Sequence, residues 1–279
     1  IHTTRTETQT HKHLSSPVKS ICRNTTSKIA RRSRSHLLPM RWPHEKTRCQ
    51  LFPSTFNSLF EREGRNDLYE NFDIPDLNHF KNILYENTKL KGLNVTIPYK
   101  ESIFKYLDKI DTDAQKIGAV NTIKISSKGA LIGYNTDHIG FTKALSSLLP
   151  LPTRNALVLG TGGASKAVIY ALKALNFNIT PVSRSNNKGV VVYSELNKQI
   201  ISHHHLIVNC TPLGTHPNID EYPAIPYHFI SKKHLIFDLT YNPHETSFMK
   251  LSKEQGARVS NGLKMLKYQA EEAWSIWNS

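Results

Sequence analysis

Apolar and polar positions change their rhythm along this chain. Through the first 50 residues, 12 apolar positions follow neither the two-residue repeat of a strand nor the 3.6-residue repeat of a helix. From residue 54 the pattern settles. Residues 54–63 read as a helix capped by Ser54 and stopped by Gly64. Residues 68–74 read as a strand, and Pro75 opens a helix to about Asn87 from its first turn. Residues 92–97 form a short strand ended by Pro98, and Lys100 begins a helix to about Leu107. Two β-rich stretches, 119–126 and 130–134, flank the turn Ser127-Lys128-Gly129 and predict a hairpin.

Residues 137–149 are amphipathic, with Ile139, Phe141, Ala144, Leu145 and Leu148 near one face, and Pro150 and Pro152 mark a break. Ala156-Leu157-Val158-Leu159 is a continuous apolar run, as in a parallel strand buried on both faces. A helix at 164–175, strands at 178–183, 206–210 and 234–239, a helix at 246–255 and a closing helix at 263–277 follow. Such alternation predicts an α/β protein with parallel sheets.

Composition adds a boundary. The 279 residues carry 36 Lys+Arg against 22 Asp+Glu, a formal charge of +14, but residues 1–50 alone account for +9. Residues 1–53 therefore read as a basic leader too polar to offset its ordering entropy, ahead of a near-neutral body. Three readings of the leader stay open. It suits an organelle transit peptide, being rich in Ser, Thr and Arg and poor in acids. It also suits a polyanion-binding arm, or, since the chain begins with Ile1, a fragment or wrong-frame translation. Nothing basic and aromatic recurs later, so no nucleic-acid partner is expected. Cys22, Cys49 and Cys210 have neither disulfide parity nor metal-ligand spacing, which fits a reduced, cytoplasmic setting and no metal. No run of about 18 apolar residues exists, so no spanning helix is expected.

Candidate chemistry begins at Gly160-Thr161-Gly162-Gly163-Ala164-Ser165, between the buried strand and a helix. Glycines there permit a tight turn and close approach of backbone N–H groups to a pyrophosphate, with the helix N-terminus adding favourable dipole. Ser165 replaces the usual third small glycine. Where a site for NAD places an acid, the next strand ends Ser183-Arg184-Ser185. A planar guanidinium flanked by hydroxyls suits a 2′-phosphate and points to NADP (NADPH). An ordinary βα turn and a solvated arginine are the bland alternatives.

A second set lies outside this half. Asn94 and Thr96 alternate on one strand, and Pro98 stiffens the turn before Lys100. Asn121 and Thr122 sit on a second strand, and Asn135, Thr136 and Asp137 follow a third. Amides, hydroxyls, one cation and one carboxylate suit a small polyhydroxylated anion. Alone, Asp137 reads as a helix N-cap and Lys100 as a solvated lysine; together with a nucleotide site they read as chemistry.

In these residues the sequence resembles the shikimate dehydrogenase family over roughly 54–279. The matching motifs, in order, are 92–100 (Gly-Leu-Asn-Val-Thr-Ile-Pro-Tyr-Lys), 118–122 (Gly-Ala-Val-Asn-Thr), 133–137 (Gly-Tyr-Asn-Thr-Asp) and the glycine turn. Residues 208–212 (Val-Asn-Cys-Thr-Pro), 238–243 (Asp-Leu-Thr-Tyr-Asn-Pro), 261–263 and Gln269-Ala270 continue them. The resemblance implies an α/β substrate-binding domain at 54–143 and a Rossmann-like NADP domain at 144–261, with a cleft between them. Helix 262–279 packs back on the first domain. It implies NADP-dependent reduction of 3-dehydroshikimate to shikimate, on the route to chorismate and aromatic amino acids, with Lys100 and Asp137 as the catalytic pair. Asn94, Thr96, Asn121, Gln269 and Tyr241 are implied at the substrate. Gly160, Gly162, Gly163, Ala164, Ser165, Ser183, Arg184, Ser185, Leu239 and Gly262 are implied at the cofactor. A monomer or homodimer whose partner is the small-molecule substrate is expected.

The likeness fails at the start. The family opens with a strand and a His-Ser-x-Ser-Pro-like motif whose hydroxyls hold the substrate carboxylate, but its interval before Asn94 lands on Arg48-Cys49-Gln50-Leu51-Phe52. Ser15, in His13-Leu14-Ser15-Ser16-Pro17, lies 79 residues before Asn94, too far for that role. An abrupt boundary of this kind is what a wrong-frame leader produces, and losing the first strand would expose a sheet edge. Two alternatives follow: a quinate/shikimate dehydrogenase using NAD, and a catalytically impaired NADP-binding relative. Residues 185–196 leave little room for a full crossover helix, and His203-His204-His205 read as a loop rather than a metal site.

Overall fold

Two six-stranded sheets organise the chain, and the computed structural model describes residues 18–22, 51–62, 64, 66–186 and 188–279. The first sheet has the order β2-β1-β3-β5-β6-β4. Strand β1 (Val18–Cys22) runs parallel to β2 (Tyr69–Asp73) and β3 (Gly92–Val95), with Ser20 in register with Asn71 and Asn94. Antiparallel β5 (Thr122–Ile125) and β6 (Leu131–Tyr134) extend it, and the two-residue β4 (Lys109–Ile110) closes the edge. The expectation of an unstructured leader is thus corrected for Val18–Cys22, which fills the strand slot between β2 and β3. Residues 1–17 and 23–50, including His13 to Pro17, lie outside the described residues.

Helix boundaries shift for local reasons. Helix α1 (Leu51–Arg62) begins before Ser54, because Pro53 falls in its first turn, where no N–H is required. After Pro75, Asp76 accepts from Asn78 N and starts a 3₁₀ turn (Leu77–His79) that passes into α2 (Phe80–Glu86). The helix expected from Lys100 is instead a 3₁₀ segment, Ser102–Tyr106. Ile103, Phe104 and Tyr106 are β-branched or aromatic, and weak helix formers sustain a short tight turn more readily than an α-helix. Helix α3 (Thr112–Ile117) is capped by Asp111.

Helix α4 (Asp137–Ser146) leads from the first sheet to the second, so the division expected at 143/144 falls inside a helix. The second sheet has the order β12-β11-β10-β7-β8-β9, all parallel. It is built from β7 (Asn155–Leu159), β8 (Asn178–Ser183), β9 (Val191–Val192), β10 (Leu206–Asn209), β11 (Leu235–Asp238) and β12 (Arg258–Ser260). Helix α5 (Gly163–Ala174) links β7 to β8, and α7 (Ser247–Glu254) links β11 to β12. The short crossover after β9 is a 3₁₀ turn (Tyr193–Glu195) and the six-residue α6 (Lys198–His203). Every residue of β7, β10 and β11 is buried, which is why these strands read as apolar runs.

Helix α8 (Leu263–Asn278) returns to the first sheet. A methyl on Gly140 would lie 2.6 Å from the Met265 carbonyl oxygen, so α4 and α8 approach with backbone nearly in contact. The indole of Trp277 donates to the Ile123 carbonyl at 2.9 Å and covers Gly92, where any side chain would collide with it. Phe56, Phe60 and Tyr69 pack against Ala270, Ala273 and Trp277, tying α1 and β2 to α8.

Candidate active site

The sheet order reverses between β7 and β10, and a crevice at the carboxyl ends of such strands is where open parallel sheets hold ligands. Gly160 turns the chain there with φ +105°, and a methyl on it would meet Thr211 Cγ2 at 3.2 Å. Gly162 caps α5 and has open space around it. The amides of Gly163, Ala164 and Ser165 occupy the first turn, where helix geometry provides no internal acceptor. Ser165 is buried and donates to the Gly160 carbonyl at 2.7 Å, so its hydroxyl braces the turn from within. Gly160 N donates to Val182 O at 2.8 Å, which sets the end of β8 beside the turn. Ser183 Oγ accepts from Ser185 N at 3.2 Å, and Arg184 is exposed between them. These residues fit a dinucleotide whose pyrophosphate meets the amides and whose ribose end meets Arg184.

Lys100 follows the end of β3, and its carbonyl accepts from Val120 N at 2.8 Å. Its ammonium donates to Asp137 Oδ2 at 2.6 Å, with the side chains 13% and 4% exposed. Asp137 is the first residue of α4, not its cap; Thr136 takes that place, which frees the carboxylate for Lys100. Asn121 Nδ2, with two hydrogens, faces Asp137 Oδ1 at 2.9 Å, Gln269 Oε1 at 2.9 Å and Thr136 Oγ1 at 3.0 Å. Its Oδ1 accepts from Thr136 N at 2.7 Å. Asn121 thereby joins β5, α4 and α8. Asn135 donates to the Ala119 carbonyl at 2.8 Å, and its Oδ1 accepts from His138 N at 3.3 Å in the first turn of α4.

Asn94 is buried and bonded within the protein. Its Oδ1 accepts from the Tyr69 hydroxyl at 2.8 Å, and its Nδ2 lies 3.3 Å from both Asn121 O and Thr122 Oγ1. The amide is committed to joining β2, β3 and β5. Tyr69, buried and necessary to that arrangement, carried no motif signal in the sequence; only its place on a β-strand hinted at it. Thr96 is half-buried just beyond β3.

The two groups meet at Gly163. A methyl on it would stand 3.1 Å from Lys100 Cβ and 3.4 Å from Ala119 Cβ. Leu239 and Tyr241, both half-buried, flank Thr240 past the end of β11, and Gly262 N donates to Thr240 O at 3.0 Å. A side chain on Gly262 would collide with the Leu239 carbonyl, so only glycine lets α8 start there. Beneath these loops Asp238 is fully buried. It accepts from Asn209 Nδ2 and Thr240 N, both at 3.0 Å, and from Thr246 Oγ1 at 2.7 Å. Burial pushes its carboxyl above the usual range against the pull of those donors. Cys210, half-buried at the end of β10, has its thiol pushed well up by burial, with the charges of Asp238 and Asp137 adding.

Tyr193 was not singled out by the sequence. Its phenol is pushed up to about 12, first by burial and then by Cys210, with Arg184 opposing. The three consecutive histidines diverge. His203 Nε2 lies 2.9 Å from Asn155 Nδ2, His204 Nε2 2.8 Å from Thr180 Oγ1, and His205 Nδ1 2.9 Å from Thr153 Oγ1. Among the described residues no group of three His, Cys, Asp or Glu converges as a metal site, and no helix is long and apolar enough to cross a membrane.

Known proteins share this architecture. Residues 47–123 match the family model described as the shikimate dehydrogenase substrate binding domain. A shikimate dehydrogenase (NADP(+)) of Methanococcus maripaludis is 40% identical over 242 residues, covering 81% of this chain and 85% of the relative. The crystal structure of shikimate dehydrogenase from Aquifex aeolicus is 33% identical, with a TM-score of 0.77 over 95% of this chain and 92% of the other. That of the Thermus thermophilus enzyme in complex with NADP(H) and shikimate is 28% identical, with a TM-score of 0.75 over 95% and 93%. With 40% identity to the Methanococcus enzyme sustained over four-fifths of its length, the chain belongs to the shikimate dehydrogenase family.

Proposed function

We infer that the chain catalyses the reversible, NADP-dependent reduction of 3-dehydroshikimate to shikimate, a step toward chorismate and the aromatic amino acids. The observation that carries this reading is the Lys100–Asp137 pair, 2.6 Å apart and set against Gly163 in the first turn of the helix that cradles the nucleotide. NADPH, when bound, supplies the hydride. The amides of residues 163–165 would hold its pyrophosphate, and Arg184 with Ser183 and Ser185 its 2′-phosphate.

Reduction of a ketone builds negative charge on its oxygen. The Lys100 ammonium, largely shielded from water, is suited to stabilise that charge and donate the proton. Asp137 holds the ammonium through Oδ2 and is itself held through Oδ1 by Asn121, so the donor is preorganised from two elements. Gln269, which is bonded to Asn121, and Thr96 would offer polar groups to ring hydroxyls. Asn94 fixes the strand that leads from Asn121 through its own amide, and its Oδ1, which accepts from the Tyr69 hydroxyl, keeps the second acceptor position of an amide oxygen for a ring hydroxyl.

The experiment is oxidation of shikimate with NADP followed by NADPH absorbance, alongside Lys100→Ala. Turnover that disappears in the variant while NADP affinity persists supports the assignment; unchanged turnover refutes it. A preference for NAD would select the quinate/shikimate alternative, which Arg184 in place of an acid disfavours. NADP binding without any turnover would select the impaired relative.

A further inference from the structure

Helix α5 forms the glycine cradle with its first turn and lies along the first domain with its flank. That flank carries Gly163, Lys166, Ala167 and Tyr170, spaced as one helical stripe. Gly163 sits against Lys100, Lys166 pairs with the Glu101 carboxylate, and Ala167 packs with Ile117 and Ala119. Tyr170 Oη donates to Asp113 Oδ1 at 2.7 Å, on α3 of the other domain. The Lys166–Glu101 pair is exposed and contributes little. The Tyr170 bond is different, because a third helix meets it. His138, the residue after Asp137, places Nε2 3.6 Å from Asp113 Oδ2 and stands edge-on to the Tyr170 ring at 5.3 Å and 89°.

Asp113 is anchored in turn. Its N–H donates to Asp111 Oδ2 at 2.9 Å, and Asp111 N donates to Gly133 O at 2.8 Å, on the strand that runs into Asp137. Among the described residues His138 Nδ1 is buried without a hydrogen-bond partner, so the ring is held by Asp113 and Tyr170. The Asp113 bond, burial and the charges of Asp113 and Asp111 all push the Tyr170 phenol up, which keeps it a donor.

We propose that Asp113, Tyr170 and His138 form an interdomain clasp that positions Lys100 and Asp137 relative to the nucleotide carried by α5. The inference rests on the cofactor reading above. A rigid helix gripped at its first turn by the nucleotide and two turns later by Asp113 has its tilt against the first domain fixed at both ends. One end bears on Lys100 through Gly163; the other acts one residue from the Asp137 carboxylate through His138. None of the three touches reacting atoms. They are positioning residues.

The test is hydrogen exchange of residues 111–117 in the full chain with and without NADP, combined with steady-state kinetics. In the unmodified protein NADP, bound by the other domain, slows exchange in α3. In Tyr170→Phe and Asp113→Ala that slowing is lost with NADP affinity unchanged. The turnover number then falls about tenfold to a hundredfold, the scale of one hydrogen bond to a charged group. Asp113→Asn, which retains an amide oxygen for Tyr170, recovers most of it and serves as the second variant should alanine impair folding. Exchange in α3 that ignores NADP, or Tyr170→Phe with full turnover, overturns the clasp. A chain that binds no NADP overturns the cofactor reading instead.

Discussion

Lys100 and Asp137 stand 37 residues apart in the chain and 2.6 Å apart in space, one beyond the end of a strand and the other at the start of a helix. Each side chain is most of the way out of water, so neither is held by the other as a mere surface pair. Replacing Asp137 by Asn keeps the shape and removes the charge that holds the ammonium. Turnover is expected to drop by about 10²- to 10⁴-fold, the range of a lost acid–base group. Replacing it by Ala also strands Lys100 and Asn121, and is expected to cost about 3 kcal/mol of stability, because Lys100 keeps some access to water. Kinetics and urea unfolding of both variants check this; equal turnover of Asp137→Asn and the unmodified chain would remove Asp137 from the mechanism.

Two adjacent glycines of the helix start differ in what surrounds them. Around Gly162 there is open space, whereas a methyl on Gly163 presses on Lys100 and Ala119 at 3.1 and 3.4 Å. Gly162→Ala is therefore expected to act on NADP affinity alone. Gly163→Ala shifts Lys100 by some tenths of an ångström and is expected to lower turnover about tenfold to hundredfold, since small misplacements of a positioned group carry that penalty. Binding titrations and single-turnover rates resolve the two, and identical behaviour of both variants would contradict the packing argument.

The second sheet was readable because its strands are buried on both faces: the apolar runs at 156–159, 206–209 and 235–238 left no other element open to them. Lys100, Asp137 and the glycine turn were legible for a related reason, being polar or small residues at strand ends where packing alone does not demand them. The bonds of Asn94 were not legible, because strand alternation places a side chain on a face without saying what else reaches it, and the partner, Tyr69, is distant in sequence. The Tyr170–Asp113–His138 contacts join three helices and leave no local pattern. Val18–Cys22 was missed since a short strand with a neighbour on each side needs little amphipathic signal of its own.

Arg184 stands exposed just past the end of β8, beside the glycine turn. Its guanidinium has no role in the core, so Arg184→Ala should leave unfolding midpoints unchanged. Loss of a charge-assisted bond to the 2′-phosphate is expected to weaken NADP by about tenfold to a hundredfold. NAD, which lacks that phosphate, should be used as before. Comparison of the two nicotinamides in the variant decides the matter; equal losses with both would mean that Arg184 reads no phosphate.

Asp238 gives a stability prediction with a definite sign. Burial raises its carboxyl above the ordinary 3.8, while Thr246, Thr240 and Asn209 only partly offset the cost of the charge. A raised value means that the folded chain holds this proton more tightly than the unfolded chain. The stabilisation it brings is complete below the unfolded value and is lost as pH rises through the folded value. Asp238→Asn cannot ionise. It loses acceptor geometry at every pH but escapes this loss, so the unmodified chain's advantage over the variant is largest in acid and shrinks as pH rises above about 4. Urea midpoints of both proteins across that range measure the difference. An advantage that grows with pH would mean the three donors outweigh burial, and that the loops bordering the cleft rest on a carboxylate the fold stabilises rather than penalises.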